Sequence, residues 1–120
     1  MTWQVEYTDE FQGWWATLDG AQQDAVDVVL RLLEARGPQL PFPYSSGIAT
    51  SKDGRMRELR IQCGGKPYRV FYAFDPRRIA ILLIGGRKTG NDRFYESMIS
   101  QADRLYDQHV NALRREEGHG

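Results

Sequence analysis

The sequence predicts one α+β domain in the order β-α-α-β-β-β-α: a mainly antiparallel, twisted sheet with a helical hairpin packed on one face and a C-terminal helix. Two observations predict it. Apolar residues recur at helical spacing before position 36 and again after position 91, whereas residues 56–85 hold three strand-like apolar runs. Those runs are separated by Gly64-Gly65-Lys66-Pro67 and Asp75-Pro76-Arg77-Arg78, short turn signals of the kind that join antiparallel neighbours. At 120 residues the chain has the size of one domain and can bury a core without covalent staples.

Trp3, Val5 and Tyr7 alternate with Thr2, Gln4 and Glu6, which gives a short first strand. Thr8 can cap the helix that follows, with Asp9 and Glu10 in its electropositive first turn. Phe11, Trp14, Trp15 and Leu18 form its apolar stripe, and Asp19-Gly20 breaks it. A second helix runs from Ala21 to Ala35, with Ala25, Val28, Val29, Leu32 and Leu33 on one face, and ends at Gly37-Pro38. The short connection makes the two helices an antiparallel hairpin. Residues 37–54, rich in Pro, Gly and Ser, read as a long loop anchored by Leu40, Phe42 and Ile48. Strands at Met56–Gln62, Tyr68–Phe74 and Ile79–Gly85 follow; the last is apolar on both faces and is expected to be central and covered on both sides. Gly85 to Gly90 leads to a final helix from Asp92 to Leu113 with a stripe of Tyr95, Met98, Ile99, Ala102, Leu105 and Tyr106. The domain is expected to span 1–113, with 114–120 a disordered tail.

Composition narrows the function classes. A hydrophobic content of 41% excludes a disordered chain. The one cysteine, Cys63, excludes an intrachain disulfide framework and a Cys-rich zinc site, and makes a reducing, cytoplasmic setting the expectation. The first residues lack the basic and apolar regions of a signal peptide, and the longest apolar run, Ile79 to Ile84, cannot span a bilayer, so no membrane partner is expected. Net charge is zero but segregated: residues 1–50 carry seven acids and two bases, residues 51–95 eleven bases and four acids. A basic middle third between acidic ends suits a polyanionic partner for the middle, although solvated acidic helices beside arginine-bearing strands would look the same.

Strand alternation sharpens that reading. If Leu59, Ile61, Val70 and Tyr72 face the helices, Arg60 and Arg69 project together from the opposite, exposed face. Two arginines side by side repel unless an anion bridges them, and guanidinium grips phosphate bidentately. Arg87 and Lys88, past the third strand, can lean over the same concavity, and Tyr95 in the first helical turn can supply a ring or hydroxyl at its rim. This describes a cradle for single-stranded nucleic acid. Each residue also has a plainer reading: Arg60 paired with Glu58 or Asp75, Tyr95 as core, Arg87 and Lys88 as solvated turn charges. His109 reads as helix surface and His119 as tail, and no Ser/His/Asp or Cys/His nucleophile arrangement is present.

The segments Met56-Arg57-Glu58-Leu59-Arg60-Ile61, Pro67-Tyr68-Arg69-Val70-Phe71-Tyr72-Ala73-Phe74-Asp75 and Ile81-Leu82-Leu83-Ile84-Gly85-Gly86-Arg87-Lys88 resemble, in order and spacing, the core of the RelE/ParE toxin superfamily in its phage-derived, HigB-like branch. The resemblance covers most of residues 3–110 and implies a RelE-like fold of the same element order. It implies the toxin of a type II toxin–antitoxin system, an endoribonuclease that cleaves mRNA on the ribosome. The implied neutralising partner is a cognate antitoxin with a helix-turn-helix DNA-binding domain. The implied catalytic residues are Arg60, Arg69, Lys88 and Tyr95, with Arg57, Lys66, Arg87 and Arg93 contacting RNA and no cofactor or metal. Two family features are missing: Thr89 stands where some members have a second arginine, and no histidine matches the C-terminal one that others use. Two other readings stay open, a ParE-like poison of DNA gyrase and a catalytically degenerate binding module that pairs with an antitoxin.

Overall fold

A computed structural model describes residues 2–52, 54–90 and 93–118. Its elements are β1 (Val5–Tyr7), α1 (Asp9–Ala16), α2 (Gly20–Arg36), a 3-10 turn (Gly37–Gln39), β2 (Ser45–Gly47), β3 (Arg57–Cys63), β4 (Lys66–Phe74), β5 (Ala80–Arg87) and α3 (Arg93–Gly118). The sheet order is β1-β5-β4-β3-β2, with β1 parallel to β5 and every other pair antiparallel.

Local chemistry explains the boundaries. Thr8 caps α1 by accepting from the Phe11 amide at 3.0 Å, and its hydroxyl donates to the Leu83 carbonyl at 2.6 Å, so one side chain fixes both the helix start and its place on β5. Asp19 does more than break the first helix. It starts the second through a reciprocal box: Gln22 N–H donates to Asp19 Oδ1, and Gln22 Oε1 accepts from the Asp19 amide, both at 2.8 Å. The β3–β4 turn is tighter than the sequence suggests. Gly64 and Gly65, at φ 60° and 75°, make a two-residue turn, and Lys66 and Pro67 already belong to β4.

Both sheet faces are covered. Leu59, Ile61, Val70, Tyr72 and Leu82 pack under Phe11 of α1 and Val26, Val29 and Leu33 of α2. Phe71, Ala73, Ile81 and Leu83 pack under Ile99, Ala102, Leu105 and Tyr106 of α3. The face expected to be open is therefore roofed by the C-terminal helix. β5 is interior and buried on both faces as expected, but β4 is the middle strand, because β1 adds to the far side of β5.

Three other expectations change. The 37–54 segment contains β2, three residues long and without apolar alternation, so no periodic signal marks it. Of the expected anchors, Leu40 and Ile48 are buried, but Phe42 is 67% exposed, because the Pro41–Tyr44 turn holds it outward. α3 runs past Leu113 to Gly118, because Arg114, Arg115, Glu116 and Glu117 are good helix formers and the next breaker is Gly118 itself. The expected helix start at Asp92 and the tail residues His119 and Gly120 lie outside the described residues.

Candidate active site

The site forms where β3, β4 and the end of β5 meet the first turns of α3. Arg60 and Arg69 are directly opposed in the β3–β4 ladder, and Arg69 is opposed by Gly86 on β5. Gly86 matters by what it lacks: a Cβ there would meet Met98 Cε at 3.0 Å and Phe94 Cε1 at 3.3 Å, so glycine lets α3 settle close to the strands. A register shift between β4 and β5 sets Lys88. Phe71 pairs with Ile84 and Tyr72 with Leu82, which leaves Leu83 as the extra residue of a bulge. Before the bulge Leu82 faces the helical hairpin; after it, Gly85 faces Trp14 of α1 and Gly86 faces α3. Uninterrupted alternation would put Lys88 on the hairpin side with Leu82. The bulge moves it to the α3 side, where its Nζ lies 5.6 Å from the centre of the Tyr95 ring.

Glu58 sits at the centre. Its Oε1 accepts from Arg60 Nη1 at 3.0 Å, from Tyr95 Oη at 3.1 Å and from Ser46 Oγ at 3.2 Å, and lies 3.5 Å from Arg69 Nε. Arg69 Nε also donates to Tyr95 Oη at 3.2 Å, and its Nη1 to the Tyr68 carbonyl at 3.0 Å. The anion bridging the two arginines is thus an internal carboxylate. This corrects the expectation that both arginines project: Arg69 is 2% exposed, whereas the Arg60 side chain keeps 30% of its surface. Burial raises the Tyr95 phenol above its ordinary pKa; the Arg69 hydrogen bond pulls the other way, and Glu58 adds to the rise.

Arg60, Arg69, Lys88 and Tyr95 therefore come together, and Phe42 joins them with its ring 5.2 Å from the Arg60 guanidinium carbon. Beside Arg60 a groove of about 410 Å³ opens between α2 and the Pro43–Tyr44 segment, with Val28, Tyr44 and Gln62 on its walls. The other basic residues do not converge. Arg57 shares the hairpin side with Leu59 and donates from Nε to Ser45 Oγ at 2.9 Å. Lys66 is exposed at the start of β4, next to the turn. Arg87 pairs with Tyr68, a residue of the hairpin-side core, so it does not lean over the concavity with Lys88. Arg93 is exposed at the first residue of α3.

Sequence reasoning missed Glu58 and Phe42 as site components. Glu58 had a signal, two places from Arg60 and so on the same strand face. Phe42 sits in the long 37–54 loop, and loops hold a disproportionate share of binding residues. His109 is no plain surface residue: its Nε2 lies 2.9 Å from the fully buried Asp75 Oδ2, which also accepts from Arg77 Nη2 at 2.7 Å. That cluster ties α3 to the β4–β5 turn, and Asp75 is spoken for there, so it does not pair with Arg60. Among the described residues no three His, Cys, Asp or Glu side chains gather to hold a metal ion, and no helix is long and apolar enough to cross a membrane.

A domain of one strand, two helices, four strands and a last helix, with a basic cluster at the rim of its sheet, defines a recognisable class. Residues 13–107 match the family described as phage derived protein Gp49-like (DUF891), and the chain belongs to that family, the HigB-like toxins of RelE-like fold. HigB3 of Mycobacterium tuberculosis is 37% identical over 112 residues, covering 92% of this chain and 94% of HigB3. HigB2 of the same organism is 32% identical over 104 residues, covering 85% of this chain but 52% of HigB2, so the chain spans about half of that relative's length. In three dimensions, the archaeal RelE–RelB complex of Pyrococcus horikoshii contains a chain that superposes with a TM-score of 0.55 at 17% identity, covering 76% of this chain and all of that one.

Proposed function

We propose that the protein is the toxin of a type II toxin–antitoxin pair and an endoribonuclease that cleaves mRNA on the ribosome to stop translation. The observation that carries this is the convergence of Arg60, Lys88 and Tyr95 at one accessible rim, backed by the buried Glu58–Arg69 pair. In-line attack of a ribose 2′-OH on the adjacent phosphate yields a 2′,3′-cyclic phosphate and a 5′-OH. It requires stabilisation of charge on phosphorus and two proton transfers. Arg60 is suited to the phosphate and Lys88 to the charge growing on the leaving oxygen. Phe42 and Tyr44 offer rings on which flanking bases can stack. The partner in this reading is an antitoxin, in keeping with the RelB bound in the Pyrococcus complex, here one carrying a helix-turn-helix domain.

One observation favours a second reading. Arg69 is internal and both arginines are already paired with Glu58, as in a module that binds without cutting. Mapping RNA 5′ ends after induction separates the readings. Nuclease action gives new 5′-OH ends within translated frames, lost in Lys88→Ala. Intact mRNA with DNA breaks would point to gyrase poisoning, and intact mRNA without them to a binding module.

A further inference from the structure

We propose that Glu58 is the proton acceptor of this site and that it acts through the Tyr95 hydroxyl. The inference rests on the nuclease reading and deepens it. Its starting point is an asymmetry in one carboxylate. Arg60, Tyr95, Ser46 and Arg69 all crowd on Oε1, while Oε2 is buried with no hydrogen-bond partner among the described residues. A carboxylate kept only to neutralise two arginines would share both oxygens with them, since a bidentate fork is the stronger pairing. An unpaired oxygen at a residue 3% exposed is costly to keep, and it leaves Glu58 with an open place for a proton.

Glu58 is too buried to meet RNA directly, but Tyr95 is half-buried at the rim, and its oxygen lies between Arg69 Nε and Glu58 Oε1. Burial keeps the phenol protonated, so the ground-state proton is donated toward Glu58. The 2′-OH proton passes to Tyr95 Oη as the phenolic proton passes to Glu58. O2′ bonds to phosphorus, the P–O5′ bond breaks, and O5′ takes a proton from the Lys88 ammonium. Glu58 ends with one proton more and Lys88 with one fewer, and exchange with solvent resets both. The groups facing Glu58 are Arg60 on its own strand, Ser46 of β2, Arg69 of β4 and Tyr95 of α3. Lys88 Nζ lies over the Tyr95 ring, and Glu96 and Asp103 line the cavity beside Tyr95.

The test is single-turnover cleavage of a defined mRNA on programmed ribosomes across pH, with the natural linkage or with sulfur at the 5′-bridging position. Glu58→Gln should lose about a hundredfold or more and change the shape of the pH profile. The sulfur leaving group, which needs no proton, should rescue Lys88→Ala but not Glu58→Gln. Tyr95→Phe removes a single rim hydroxyl and should behave like Glu58→Gln; it serves if the buried substitution fails to fold. A wild-type pH profile in either variant, or rescue of Glu58→Gln by sulfur, would overturn the relay while leaving the nuclease reading standing. A wild type that leaves the mRNA whole would overturn both.

Discussion

Truncating Arg69 would take a cation out of the interior and leave Glu58 behind it. Removing one partner of a buried ion pair costs about 3–5 kcal/mol, and the lower end applies here because Arg60 still reaches Oε1. Arg69→Ala should therefore lose about 3 kcal/mol in urea unfolding and abolish cleavage. Arg60→Ala, whose side chain is partly in water, should lose about 1 kcal/mol or less yet also fail to cut. Full cleavage by Arg69→Ala would remove it from the site. Asp75 permits a pH prediction. Burial alone would raise its carboxyl, but hydrogen bonds from His109, Arg77 and the Ile79 amide outweigh burial and hold it below the ordinary range. The folded chain then binds fewer protons in acid than the unfolded one, so Asp75 contributes stability above the ordinary carboxylate range, lost as pH falls through its lowered value. Asp75→Asn should flatten the fall in stability below about pH 4, and an unchanged acid slope would contradict this. At this scale the sequence revealed which residue types share a strand face. It hid their depth, because Arg69 looks like a surface cation until α3 is known to lie over it.

The elements are held at their spacing by glycines of opposite consequence. At Gly85 a Cβ would collide with Cε3 and Cζ3 of the Trp14 ring, where β5 and α1 touch. Gly85→Ala should cost about 2–3 kcal/mol by overpacking, read as a lower urea midpoint. Gly13, exposed in the middle of α1, has nothing near its Cβ position, so Gly13→Ala should raise stability by about 0.5–1 kcal/mol through the lost flexibility of the unfolded chain. If both substitutions moved the midpoint the same way, the packing account of Gly85 would fail. The same elements show what patterning can and cannot deliver. The three helices and four of the five strands were legible, since their periodicities are long enough to read. β2 was not, because three small or polar residues carry no period, and it is the partner strand that defines it. The bulge at Leu83 was not legible either. An apolar run buried on both faces gives no sign of where alternation slips, and that slip decides which side Lys88 takes.

Over the whole molecule, the basic middle third disperses when the chain folds. Arg77 is bound to Asp75 and Glu6, Lys52 pairs with Asp107, Arg78 lies over Trp3, and Arg57 and Arg87 fall on the hairpin side of the sheet. The rim keeps Arg60 and Lys88, and Glu58 offsets part of their field from beneath. A large positive face would bind RNA through many phosphates and show a steep salt dependence. A small rim should not. Contacts to about two phosphates of a single strand give a slope of roughly −1.4 in log affinity against log salt. Lys88→Ala should lessen that slope by about 0.7 and weaken binding of all sequences alike. Arg57→Ala and Lys66→Ala, both directed away from the rim, should leave it unchanged. The measurement is fluorescence anisotropy of a short labelled RNA with Tyr95→Phe protein, so that binding is read without cleavage. A slope of roughly −5 or steeper, or equal losses from Arg57 and Lys88, would mean that RNA follows the dispersed charge and that the rim is not where the strand lies.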